Sequence, residues 1–156
     1  MRYLIDSNIL ISAIAAEAPD HEASMSFLRT AAEGPLPWCI TWVNVYEFLR
    51  VITHRGVFRS PLRWETASAR IRHLLTCPAV ELLQESPRHM EIFEEVAGHA
   101  GGASGNFIHD CHIAALMLEH DVRTIVTRDS HFRRFGLFRV LSPGDASEEL
   151  YRSSYR

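Results

Sequence analysis

Short apolar runs separated by helix-starting residues recur along this chain, and that alternation limits what it can fold into. The runs are Arg2 to Ile5, Trp38 to Thr41, Val80 to Leu83, Arg123 to Val126 and Phe138 to Leu141. Helical stretches are expected between them, from about Asn8 to Ala16 and from Asp20 to Ala32, before Glu33-Gly34-Pro35 breaks the chain. Thr41 caps a third helix reaching about His54, and Ser60-Pro61 is expected to start a fourth that ends near Pro78. Ser86-Pro87 repeats the start signal for a helix that fades at Gly98 to Gly102, and Asn106 to His120 is a strongly apolar helix. Strands alternating with helices imply an α/β fold, a mainly parallel sheet flanked by helices on both faces. Sites in such sheets form at the carboxyl ends of strands.

Four acids sit where that architecture makes them conspicuous. Asp6 ends the first apolar run, in YLIDSN, and Asp129 follows the TIV run, in TRDSHF. Asp110 lies near the start of the apolar helix NFIHDCHIAALML, with Asn106 one turn earlier on the same face. Glu47 stands in TWVNVYEFLR, between Asn44 and Arg50. Each has a plain structural explanation: Asp6 a helix cap, Glu47 an ion pair with Arg50, Asp129 a turn before His131. Asp110 is the hardest to explain that way, because a carboxylate on an apolar helix needs a partner. Taken together the acids suggest convergence at one end of the sheet. Clustered carboxylates repel one another, and a divalent cation resolves the repulsion. Oxygen ligands with no Cys or His among them suit Mg²⁺, with Mn²⁺ as a substitute. Such a centre does phosphoryl chemistry.

Composition excludes several classes. At 156 residues, 47% hydrophobic and 22% charged, with a net charge of −3, the chain has ordinary globular character. The negative balance argues against general coating of nucleic acid but leaves room for a local groove. All 16 basic residues are arginine, the side chain that grips phosphate in a fork. Cys39, Cys77 and Cys111 are odd in number and widely spaced, so a disulfide framework is not expected and a reducing compartment, the cytoplasm, is. No apolar stretch approaches the roughly 20 residues of a membrane helix. Three other readings are weaker. The DSN of the first strand lacks the second aspartate and the lysine of haloacid-dehalogenase-like phosphatases. GGASG is followed by no lysine that would make it a phosphate loop. His109, Cys111 and His112 are too close in one helix to point at one metal.

Four segments in order, LIDSNIL, NVYEFLR, GNFIHDCHIAALMLEHDV and TIVTRDSHFRRF, resemble the PIN-domain ribonucleases and, within them, the VapC-type toxins of toxin–antitoxin pairs. THRGVFRSPL resembles one VapC subfamily. The resemblance implies a Rossmann-like three-layer sandwich, with one PIN domain over residues 1–142 and a C-terminal tail over 143–156. It implies a divalent-metal-dependent endoribonuclease restrained by a VapB-type antitoxin, and a homodimer. By motif match it carries over Asp6, Glu47, Asp110 and Asp129 as catalytic, with Asp6, Asp110 and Asp129 on the metal. Asn8, Asn106 and Thr127 match positions that line the site. An alternative is a catalytically weak PIN module that acts by binding RNA or an antitoxin.

Overall fold

A computed structural model describes residues 2–34 and 36–154; Pro35, part of the expected chain break, lies outside the described residues. Five strands form one sheet: β1 (Tyr3–Ile5), β2 (Trp38–Thr41), β3 (Val80–Leu83), β4 (Thr124–Val126) and β5 (Arg139–Leu141). All pairings are parallel, in the order β3-β2-β1-β4-β5. The chain therefore builds outward from β1 to one side and then crosses to the other. The reversal falls between β1 and β4, where the helices leaving the two strands part and open a crevice at their carboxyl ends.

Both faces of the sheet are buried, so the strands read as continuous apolar runs while their side chains alternate between two cores. Tyr3, Ile5, Trp38, Ile40 and Val126 face one core. Its other wall comes from α1 (Ser7–Ile14), α2 (His21–Glu33), α3 (Trp42–Ile52), α4 (Trp64–Leu75) and α7 (Pro143–Ser154). Leu4, Cys39 and Ile125 face the second, under α5 (His89–His99), α6 (Phe107–Glu119) and a 3₁₀ helix over Ser130–Phe135. From Cys111 to Met117 only His112 of α6 escapes full burial, which explains a sequence apolar nearly all round.

Two expected helix starts fall elsewhere. At Ser60-Pro61 no helix starts: the Leu62 amide donates back to the Ile52 carbonyl at 2.9 Å, and α4 begins only at Trp64. Ser86 commits its amide to Glu119, 2.8 Å away, and closes a turn ahead of α5. GGASG is a connection between α5 and α6, with Gly101, Gly102 and Gly105 at positive φ. The stretch expected as a tail is helical as far as Ser154, and α7 packs on α2 with Ala146 and Leu150 in the first core. No helix among the described residues is long and apolar enough to cross a membrane.

Candidate functional site

Asp6 ends β1 and caps α1, and it is 5% exposed. Its Oδ1 accepts from the Ser7 amide at 2.7 Å and from Asn44 Nδ2 at 3.2 Å. Its Oδ2 accepts from Asn8 Nδ2 at 2.7 Å and from the Thr127 hydroxyl at 2.6 Å. The Ser7 hydroxyl lies 3.2 Å from Asp6 Oδ1 but 2.7 Å from Glu47 Oε2. Its single proton goes mainly to Glu47 and links the two acids. Cap and site are thus the same residue, since a carboxylate that caps a helix at the end of a parallel strand also faces the crevice there.

Asn44 reaches Asp6 because α3 is closed by a capping box. The Thr41 hydroxyl accepts from the Asn44 amide at 3.3 Å, and Asn44 Oδ1 accepts from the Thr41 amide at 3.1 Å and from its hydroxyl at 2.7 Å. With Oδ1 committed, Nδ2 is left for Asp6. Thr127, just past β4, accepts from Asn8 Nδ2 at 2.9 Å and from the Asp129 amide at 3.0 Å, so it sets the direction of the turn that presents Asp129. The Arg128 guanidinium holds that turn to α2 and α1, 2.8 Å from Asp20 and 3.2 Å from the Ser12 hydroxyl.

Asp129 opens the 3₁₀ helix by accepting from the His131 amide at 2.8 Å, and the chain reverses so that the imidazole turns back. His131 Nδ1 is 3.3 Å from Asp129 Oδ1 and 3.9 Å from Asp110 Oδ2. Asp110, Asp129 and His131 each offer a ligand atom within 4.8 Å of the others. Asp6 stands outside that tight group. Glu47 is half exposed at the rim and 3.9 Å from Arg50.

The electrostatics bear the mark of crowded acids. Burial pushes the Asp6 carboxyl up to about 6, against the pull of the Thr127 hydroxyl, and Glu47 raises it further. The Asp110 carboxyl also stands at about 6, first through burial, then through the charges of Asp129 and Asp6, with His131 acting the other way. A cation among these oxygens removes the penalty, so the donor set fits a divalent ion.

Of the seven residues singled out from the sequence, Asp6, Asn8, Glu47 and Thr127 form one hydrogen-bonded unit with Ser7 and Asn44. Asp110, Asp129 and His131 stand together as a second group, their ligand atoms within 4.8 Å of one another. Asn106 is exposed at the start of α6 and does not cap it. Sequence reasoning missed the roles of Ser7 and Asn44; the Thr41-x-x-Asn44 spacing of a capping box was the available signal for Asn44. His131, which the expected oxygen-only ligand set does not include, turns back beside Asp110 and Asp129. His112 turns the other way, to Glu85 at 2.9 Å, and Cys111 is buried.

A family model described as the PIN domain matches residues 3–137. The ribonuclease VapC37 of Mycobacterium tuberculosis is 32% identical over 132 residues, 85% of this chain and 90% of that protein. The ribonuclease VapC43 of the same organism is also 32% identical, over 94% of this chain and 98% of that one. Among solved structures, a Rickettsia felis VapBC2 complex bound to a DNA fragment from its promoter superposes with a TM-score of 0.63 at 20% identity, covering 91% of this chain and 98% of that one. Mycobacterium tuberculosis VapC20, a sarcin–ricin-loop-cleaving toxin, does so with a TM-score of 0.62 at 19% identity, covering 88% and 98%.

Proposed function

This chain belongs to the PIN-domain family and, within it, to the VapC ribonucleases, and on that premise we propose that it is a divalent-metal-dependent endoribonuclease, the toxin of a toxin–antitoxin pair. The observation that carries the reading is the pair of carboxyls, Asp6 and Asp110, each raised to about 6 by burial and by neighbouring acids at the crevice between β1 and β4. A divalent ion bound between them relieves that repulsion.

In this reading Asp6, Asp110 and Asp129 hold the cation, with Mg²⁺ the expected ion and Mn²⁺ a substitute. The bound ion polarises a phosphoryl oxygen and lowers the pKa of water. Ser7, Asn8, Asn44 and Thr127 fix the Asp6 carboxylate, so its oxygens need no reorganisation when substrate arrives. Glu47, held at Oε2 by Ser7 and open to solvent, orients the attacking water and takes its proton at the carboxylate. Beside Thr127 and Asp129 a cleft of about 450 Å³ is lined by Arg128, Arg133 and the start of α7. Arg133 there suits a phosphate flanking the scissile bond, while Arg128 stays paired with Asp20. A VapB-type antitoxin as partner is supported by the VapBC complexes among the structural neighbours. The reading extends to a homodimer acting on RNA in the cytoplasm.

The test is cleavage of a structured RNA by purified protein with Mg²⁺, Mn²⁺ or EDTA, beside Asp110→Asn. Cuts that need metal and vanish in the variant are expected. Cuts that persist in EDTA or in the variant refute the assignment. If no condition gives cuts and no metal binds, the binding-module alternative takes its place.

A further inference from the structure

We propose that His131 is a direct ligand of the divalent cation, which it shares with Asp110 and Asp129, so that the centre contains a nitrogen beside its oxygens. The inference rests on the metal-dependent reading above and adds to the acids a residue that the carboxylate pattern does not predict.

The geometry comes from the chain reversal after β4. Asp129 draws in the His131 amide at 2.8 Å, which folds the first turn of the 3₁₀ helix back over the acid. The ring then meets Phe107 edge-on, at 6.4 Å between centroids and 90° between planes, so one side of its swing is bounded by the first residue of α6. Nδ1 lies toward the carboxylates, 3.3 Å from Asp129 and 3.9 Å from Asp110. Ligands held about 2.1 Å from one ion lie roughly 3 to 4 Å apart, depending on the angle between them. The two separations from His131 have that spacing already, and all three atoms lie within 4.8 Å of one another. Two further facts favour ligation over a simple surface ion pair. Asp110 is largely buried, whereas the ring is mostly exposed and can adjust by tenths of an ångström. The three residues come from two different elements, the start of α6 and the β4 exit, as a shared ion requires.

A nitrogen donor changes which ion is preferred. Mg²⁺ takes oxygen ligands and gives up water reluctantly, while first-row transition ions gain from imidazole. The centre is therefore expected to hold Mn²⁺ more tightly than Mg²⁺ on account of His131, whatever the rate of RNA cleavage with each.

The experiment loads Mn²⁺ onto the full chain and onto His131→Ala. Pulsed electron paramagnetic resonance reads nitrogen coupled to the ion, and calorimetry reads affinity for Mn²⁺ and for Mg²⁺. Expected are a ¹⁴N coupling in the parent protein, its loss in the variant, and a fall in Mn²⁺ affinity of about tenfold or more with Mg²⁺ affinity little changed. Mn²⁺ bound without nitrogen coupling, or with coupling that persists in the variant, overturns the His131 assignment and leaves the carboxylate reading standing. No Mn²⁺ or Mg²⁺ binding at all overturns both.

Discussion

Asp6 carries two loads that a single residue rarely combines, the cap of α1 and a buried charge beside other acids. Asp6 and Asp110 both stand near 6 against an ordinary 3.8, so between those values the metal-free folded protein holds more protons than the unfolded chain. The stability these two acids contribute is greatest below that window, falls as pH rises through it, and levels off once both ionise. For Asp6 the drop is on the order of 3 kcal/mol. Thermal unfolding in EDTA at a series of pH values should show it, and Asp6→Asn, neutral throughout, should flatten the profile. An unchanged slope in the variant would assign the dependence to other groups. Asn44 offers a second test. Asn44→Ala removes the N3 half of the capping box and a donor to Asp6, which should lower stability by about 2 kcal/mol in urea titrations. Asn44→Asp brings another carboxylate to Asp6 and should be worse at neutral pH than at pH 5.

Among the elements, α7 departs most from what the chain suggested. A polar stretch with Pro143 and Gly144 near its start reads as a tail, yet Pro143 is acceptable in a first helical turn. Ser142 and Asp145 exchange bonds across that turn, with the Ser142 hydroxyl 2.6 Å from the Asp145 carboxylate and 3.2 Å from its amide. Besides Pro143 at its start, the buried described side chains of α7 are Ala146 and Leu150, one turn apart, and α7 packs on α2. That is too sparse a pattern to stand out by periodicity. Leu150→Ala should therefore cost about 2 to 3 kcal/mol, measured by denaturant unfolding; a loss near zero would return the segment to the status of a tail. The misplaced starts of α4 and α5 have the same origin. Ser-Pro is a legitimate cap signal, but at both places a tertiary hydrogen bond, Leu62 to Ile52 and Ser86 to Glu119, claims the backbone first.

For the whole molecule, the order β3-β2-β1-β4-β5 makes the site. It sets Asp6 and Thr127 on neighbouring strands although 121 positions separate them. An ion that binds only the folded arrangement must stabilise it globally. At about a hundred times its dissociation constant the gain is about 2.7 kcal/mol. Divalent metal should therefore raise the melting temperature of the parent protein and flatten its pH profile, while Asp110→Asn responds much less. Equal shifts in both proteins would point to a cation bound elsewhere.

Much of this protein was determined by local sequence alone. Apolar runs without alternation announced strands buried on both faces, and caps and apolar helices marked most of the elements between them. The identities of the four acids were open to inspection because charge at the end of a buried run is a local anomaly. Which acids meet was decided only by the tertiary structure. Strand order is not written in any window of residues. Asn44 reaches Asp6 across 38 positions, Ser7 reaches Glu47 across 40, and the turn after β4 brings His131 to Asp129 and Asp110. The physical reason is directional. Burial is averaged along a segment and leaves its period in the sequence, whereas a hydrogen bond or a metal ligand depends on where one atom points after every element has packed.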